Sequence, residues 1–392
     1  MPDISKTKEF IRQHANADVT KLALQARKFP DIDMQFVIRQ IAGRKAISDK
    51  IPSWFVVEDL LFPHHLSLEQ CSSEATARYK ASLVGGDSLI DLTGGFGIDC
   101  TFMAENFNRV NYVERNPELC EIARNNFPLL NLNRIEIHNA DSVDFLQETE
   151  RVDCIFIDPA RRNEHGGKTV LVSDCEPDVS HLAPLLLTKA NRVMIKLSPM
   201  LDLSLALEAL PQTTAVHIVS VNNECKELVL ILGESTVAEG PITCVNLTKN
   251  GIQFFSFTKK EELENLCQYT SELGTYLYEP NASVMKGGAY KTVAPRFGLK
   301  KLHPNSHLYT SNTRCDEFPG RIFAVESSFS LNKNELKQAL SGMQQANLTV
   351  RNFPSSVAEL RKRLKLSDGG NTYLFATTLA DDRKVLVKCV KG

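Results

Sequence analysis

At 392 residues, 43% of them hydrophobic, the chain has the length of two or three domains and a globular composition able to bury a large core without disulfide staples. Its ten cysteines stand singly with no C-x-x-C pair, which fits free thiols in a reducing cytoplasm; with no mixed Cys/His cluster, no metal site is expected. The formal net charge is only −2, and charge or proline cuts every apolar stretch within about 18 residues, which argues against a membrane-spanning helix.

Residues 1–84 read as a helical domain: Phe10, Ile11, Leu22, Leu24 and Phe36, Val37, Ile38, Ile41 recur at helical spacing, with breaks at Pro52 and Pro63. Ser67 and Gln70 fit a capping box leading toward a helix through Tyr79. That helix directly precedes Leu89–Asp99, L-I-D-L-T-G-G-F-G-I-D, where a short apolar strand ending in Asp91 breaks into Thr93, Gly94, Gly95, Phe96 and Gly97. A strand–glycine loop–helix is the nucleotide corner of a doubly wound sheet, because glycine lets backbone pass close to a ligand. A dinucleotide fingerprint would need a glycine at position 100, which is Cys100, and Asp99 would set a negative charge where a pyrophosphate lies.

From 88 to 232 the pattern alternates. Strands are expected at Leu89–Leu92, Val110–Val113, Ile135–Ile137, Cys154–Ile157, Val193–Leu197, Val216–Val219 and Leu228–Leu232. Continuous apolar strands between helices imply a parallel sheet covered on both faces. Ser220–Glu227 is too short for a helical crossover, so the last strand should run antiparallel. Acids close successive strands. Glu114, beside Arg115, can accept both ribose hydroxyls of a nucleoside, and Asp141, followed by Ser142, can accept from an adenine amine. The fourth strand ends Asp158-Pro159-Ala160-Arg161-Arg162, and the fifth carries Lys196 at its end.

Beyond 240, Thr243–Leu247 and Gln253–Phe257 flank Asn250-Gly251 as a hairpin, and an α+β pattern of helices and strands runs to about 330. A last small unit follows, with a helix capped by Ser356 and Glu359. Residues 280–392 carry 18 basic against 8 acidic side chains, whereas residues 1–279 carry 27 against 39. A basic C-terminal third behind an acidic body signals a nucleic-acid-facing module.

The D-x-T-G-G-F-G order resembles motif I of class I S-adenosylmethionine-dependent methyltransferases, and Asp158-Pro159-Ala160-Arg161 resembles motif IV of the enzymes that methylate nucleic-acid nitrogen. Ala160 and Arg161 depart from the second proline and the aromatic of that motif; an arginine plane can still stack on a base or bind a phosphate. Covalent C5 chemistry would need a cysteine after strand five, where Lys196-Leu197-Ser198-Pro199 stands instead. Together with Gly166-Gly167-Lys168, Glu279-Pro280-Asn281, Asn352-Phe353-Pro354, Glu359–Lys362 and Asp368-Gly369-Gly370, the chain resembles the bacterial class I methyltransferases with a ferredoxin-like insert and a C-terminal THUMP-like domain.

The resemblance implies a Rossmann-like sheet of seven strands, the last antiparallel, with an N-terminal helical domain and a small C-terminal α+β region. The division expected is 1–84 helical, 85–235 methyltransferase, 236–330 ferredoxin-like and 331–392 THUMP-like. S-adenosylmethionine is then expected on Asp91, Thr93, Gly94, Gly95, Phe96, Gly97, Asp99, Glu114, Arg115, Asp141, Ser142 and Asp158. Chemistry is expected at Asp158, Pro159, Arg161, Arg162 and Lys196, and RNA (tRNA or rRNA) against the basic C-terminal third. A small-molecule or protein methyltransferase, or a non-catalytic RNA-binding protein that keeps the cofactor fold, remain the rival readings.

Overall fold

The computed structural model describes residues 4–161, 171–233 and 240–392. Two compact units share the chain: residues 1–214 with 227–237, and residues 215–226 with 238–392.

The first unit opens with helices α1 (Ile4–Gln13), α2 (Val19–Leu24), α3 (Met34–Ile47), α4 (Pro52–Phe55), α5 (His65–Gln70) and α6 (Glu74–Ala81). Phe10, Leu22, Met34, Val37 and Ile41 close a core of their own among α1 to α3, the stripe that the spacing predicts. Asp18 and Asp33 start α2 and α3 by accepting from the backbone N–H groups of Thr20 and Phe36, at 2.9 and 3.0 Å. The predicted capping box at Ser67 is not formed: α5 already starts after His64, which leaves Ser67 inside the helix.

All seven strands expected between 88 and 232 are present: β1 (Ser88–Asp91), β2 (Arg109–Val113), β3 (Ile135–His138), β4 (Val152–Ile157), β5 (Ala190–Leu197), β6 (Thr213–Val221) and β7 (Glu224–Gly233). In the first unit their order is β7-β5-β4-β1-β2-β3. The pairings β1–β2, β1–β4, β2–β3 and β4–β5 are parallel, and β7 runs antiparallel to β5, Ile195 opposite Leu230. Helices α7 (Ile98–Ala104), α8 (Pro117–Leu129), α9 (Ser142–Glu148), α10 (Val179–Lys189) and α11 (Leu203–Ala209) supply the connections. Burial on both faces explains the unbroken apolar strands; every residue of β1 is buried. β6 passes to β7 through Asn222-Asn223, at φ 48° and 67°. Two left-handed residues are what a two-residue hairpin turn of matching twist requires.

In the second unit β6 pairs parallel with β8 (Ile242–Thr248), and β8 pairs antiparallel with β9 (Gly251–Phe257), so the predicted hairpin extends β6. A separate sheet holds Lys300–Lys301, β11 (Tyr309–Ser311), β10 (Tyr276–Pro280), β12 (Gly320–Phe329), β15 (Lys384–Lys391), β14 (Thr372–Thr378) and β13 (Asn347–Arg351) in that order. Leu277, Phe323, Phe375 and Val387 form one of its cores. Phe329, Leu360, Leu374 and Leu386 form another, beside Leu336 of α12 (Lys333–Ala339) and Leu364 of α13 (Val357–Leu364).

Candidate active site

The site forms where β1, β2 and β4 end in the first unit. Asp91 is 1% exposed and accepts from the Thr93 backbone N–H at 3.0 Å. The Thr93 hydroxyl accepts from the Asp158 backbone N–H at 2.6 Å, which ties the glycine loop to the end of β4. Glu114 accepts from the Gly95 N–H through one oxygen and from the Asn116 N–H through the other, both at 2.8 Å. The loop is thus held between the acids that end its neighbouring strands.

Glycine is demanded at two places. A Cβ on Gly94 would lie 2.2 Å from the Tyr112 ring, and Gly97 sits at φ 86° with the Phe127 ring 2.9 Å from where its Cβ would be. Tyr112 itself donates to the Gly95 carbonyl at 2.5 Å. Phe96 is buried between Trp54 and Phe62, with ring centroids 5.2 and 6.2 Å away. The only tryptophan of the chain therefore touches the loop.

Below the loop lies a chain of alternating charge that sequence reading did not foresee as a unit. The Lys196 ammonium donates to Asp158, to the Ser72 hydroxyl at 3.3 Å and to Asp99 Oδ2 at 3.4 Å. Lys80 Nζ lies 2.6 and 2.7 Å from the two Glu227 oxygens, 3.2 Å from Ser72 Oγ and 3.2 Å from Asp99 Oδ1. Ser72 also donates to Asp99 Oδ2 at 2.7 Å. Glu227 carried a signal, a charge directly before the apolar run Leu228–Leu232, but Lys80 and Ser72 carried none.

Burial pushes the Asp91 carboxyl well above the usual carboxylate range, and the charges of Asp99, Asp158 and Glu114 add to it against the Thr93 hydrogen bond. Burial would raise Asp99 as well, yet Lys80 and Lys196 hold it below its ordinary value. Burial would lower Lys196, but Asp158 and Asp99 outweigh it and hold the ammonium protonated far beyond its usual range.

Of the remaining expected residues, Pro159 is buried behind Asp158. Asp141 caps α9 by accepting from the Val143 and Asp144 N–H groups at 2.8 and 3.4 Å, with Ser142 the first residue of that helix. Arg115 points to Glu176 at 2.8 Å on the surface. Only the backbone of Arg161 is described, pairing with Cys175; Arg162 and Gly166-Gly167-Lys168 lie outside the described residues.

In the second unit most arginines are held by acids: Arg296 by Glu261, Arg314 by Asp316, Arg321 and Arg351 by the buried Glu279, Arg361 by Asp368, and Arg383 by Asp381. Lys333, Lys337, Lys362 and Lys365 are exposed, and among the described residues they make no ion pair. Among the described residues there is also no group of three or more His, Cys, Asp and Glu that could hold a metal, and no helix long and apolar enough to cross a membrane.

A model of a ferredoxin-like domain matches residues 276–319, and a model described as THUMP domain-like matches residues 320–391. The boundary between them falls where β12 begins, and β10 and β12 pair directly within one sheet. The crystal structure of a candidate methyltransferase from Porphyromonas gingivalis W83 matches at 37% identity over 99% of this chain and 98% of that one, with a TM-score of 0.89. A candidate methyltransferase from Streptococcus mutans in complex with SAH matches at 13% identity over 40% of this chain and 94% of its own, TM-score 0.30. An rRNA methylase from Streptococcus thermophilus matches at 12% identity over 41% and 93%, TM-score 0.31. No curated protein matches the chain.

Proposed function

The chain belongs to the methyltransferase family of the Porphyromonas gingivalis protein, with its ferredoxin-like and THUMP-like C-terminal regions, and from that premise we propose that it is a cytoplasmic, S-adenosylmethionine-dependent methyltransferase acting on a base nitrogen of tRNA or rRNA. The observation that carries the cofactor reading is the convergence of Asp91, Glu114 and Asp158 on one glycine loop, each tied to it by a hydrogen bond. Each Glu114 oxygen uses one lone pair on the backbone and keeps another free, so the carboxylate fits a ribose diol. The Gly94 and Gly97 contacts with Tyr112 and Phe127 hold the loop close against β2 and α8, which supports a fixed backbone for a nucleoside to rest on. Asp141, on the surface end of β3, suits an adenine amine.

S-adenosylmethionine, when bound, supplies an activated methyl group on a sulfonium. Asp158 accepts a hydrogen bond from the acceptor amine and turns its lone pair toward that methyl. Pro159 stiffens the loop that presents Asp158, so positioning supplies most of the rate. Arg161 and Arg162 take a substrate phosphate or stack on a base. Lys333, Lys337, Lys362 and Lys365 offer phosphate contacts from the THUMP-like region; the ten free cysteines support a reducing compartment. The division into segments 1–84, 85–235, 236–330 and 331–392 is part of the same proposal.

Labelled cofactor incubated in parallel with total RNA, protein extract and metabolite extract tests it. Label is expected in RNA. Label confined to protein or metabolites would replace the substrate class, and no label in any fraction would overturn the enzymatic reading.

A further inference from the structure

We propose that Lys196 and Lys80 are positioning residues: with Ser72, Asp99 and Glu227 they clamp one oxygen of Asp158, so that only its other oxygen is offered to the acceptor. This rests on the reading of Asp158 given above.

Donor counting carries the argument. An ammonium has three N–H groups. Those of Lys196 are matched by Asp158 Oδ2, Ser72 Oγ and Asp99 Oδ2, which leaves none for a substrate. Those of Lys80 are matched by both Glu227 oxygens and by Ser72 Oγ, while Asp99 Oδ1 lies 3.2 Å away as an ion pair without a hydrogen bond. Exposure grades along the chain of charges. The Lys80 side chain is 0% exposed, Glu227 4%, Asp99 9% and Lys196 11%, whereas Asp158 is 35% exposed. The network is therefore closed at its inner end and open at one carboxylate. Asp158 Oδ1 has no partner among the described residues.

Two ammoniums are needed because carboxyls crowd the spot. Asp158, directly after β4, is faced by Lys196 from β5, by Asp99 and Asp91 from α7 and β1, and, one step behind, by Lys80 from α6 and Glu227 from β7. Glu114 adds its charge to Asp91, and the Cys71 thiol, pushed up by burial, stays neutral beside Lys196. Like charges this close repel one another unless a cation lies between them, so without the ammonium Asp158 would turn away from Asp99 and its oxygens would no longer be fixed.

The test measures transfer of labelled methyl to total RNA, at saturating S-adenosylmethionine and varied RNA, beside calorimetric affinity for the demethylated product, in wild type, Lys196→Met and Lys196→Arg. Lys196→Met should lose about tenfold or more of the maximal rate, with the RNA concentration at half-maximal rate and the product affinity within about threefold of wild type, and Lys196→Arg should recover most of the rate. A mere packing role would lower the melting temperature and leave the maximal rate near that of wild type. If Lys196→Met does not fold, Ser72→Ala carries the test, with a smaller loss in the same direction. An unchanged maximal rate in a folded variant overturns this proposal alone; a wild type that transfers no methyl to RNA overturns it together with the RNA methyltransferase reading.

Discussion

Replacing Glu114 by alanine removes the acid on which the cofactor reading leans most. Its two oxygens accept from the Gly95 and Asn116 N–H groups, both at 2.8 Å, so the side chain fixes the loop as well as facing the proposed ribose. Loss of a charge-assisted pair to the diol should weaken cofactor binding by about 1.5–3 kcal/mol. In affinity that is about 10- to 150-fold. Freeing two backbone donors costs a further ~1–3 kcal/mol of stability, which thermal unfolding without ligand separates from the binding loss. Trp54 provides the control, since it is 2% exposed and packs 5.2 Å from Phe96. Emission unchanged from wild type shows the loop still in place. Glu114→Gln, which keeps the volume and one acceptor, should fall between the two. Binding by Glu114→Ala within about threefold of wild type, with Trp54 undisturbed, would refute the ribose assignment.

Asp158→Ala should abolish transfer to RNA while calorimetry finds product-analogue binding retained; near-wild-type turnover would show the end of β4 to be misread. Gly94→Ala drives a methyl to 2.2 Å from the Tyr112 ring and should cost about 1–3 kcal/mol with loss of cofactor binding, read by thermal shift with and without ligand. Lys301 is 1% exposed, holds the Pro304 carbonyl at 2.8 Å, faces the Tyr290 and Tyr309 rings, and is lowered by burial to about 8. Because that lies below its unfolded value, wild-type stability should rise as pH climbs from about 8 to 10.4. Lys301→Met should therefore be more stable at pH 7, by at most about 3 kcal/mol, with the advantage gone near pH 10 in chemical denaturation. Reversing Lys362 and Lys365 to glutamate should weaken RNA binding and flatten its salt slope by about 0.7–0.9 per lost contact, without altering affinity for free cofactor.

The acids at the ends of β1, β2 and β4 were legible because one-dimensional order places them: a charge closing an apolar run between helices has one place to go. The seven strands, the antiparallel return of β7 and the hairpin at Asn250-Gly251 were legible for the same reason. The charge network was not. Lys80 sits on a helix whose neighbours Thr76, Ala77 and Tyr79 are also buried, and nothing in its spacing distinguishes a buried lysine from a surface one. Its partner Glu227 is 147 positions away. Surface charge also misled in detail. Arg361 and Lys365 stand at i, i+4, the spacing of one helical face, but Arg361 is taken by Asp368, and Lys365 leaves the helix as its left-handed cap at φ 57°. A short counter-ion or a single dihedral is enough to dismantle a strip read from periodicity.

The hairpin at Asn222-Asn223 has a consequence for how this protein can be inherited and made. The chain leaves its first unit after residue 214, contributes residues 215–226 to the second, returns for residues 227–237 and departs again. Neither unit is a contiguous stretch of gene. A ribosome that has emitted residue 214 has released every helix before the sheet and five of its strands, yet Lys80 is buried with no Glu227 to meet it. The first unit becomes electrically whole only when a strand arrives by way of the other. The two units therefore alternate along the sequence, and a stop codon placed after residue 214 would orphan a charge instead of freeing a domain.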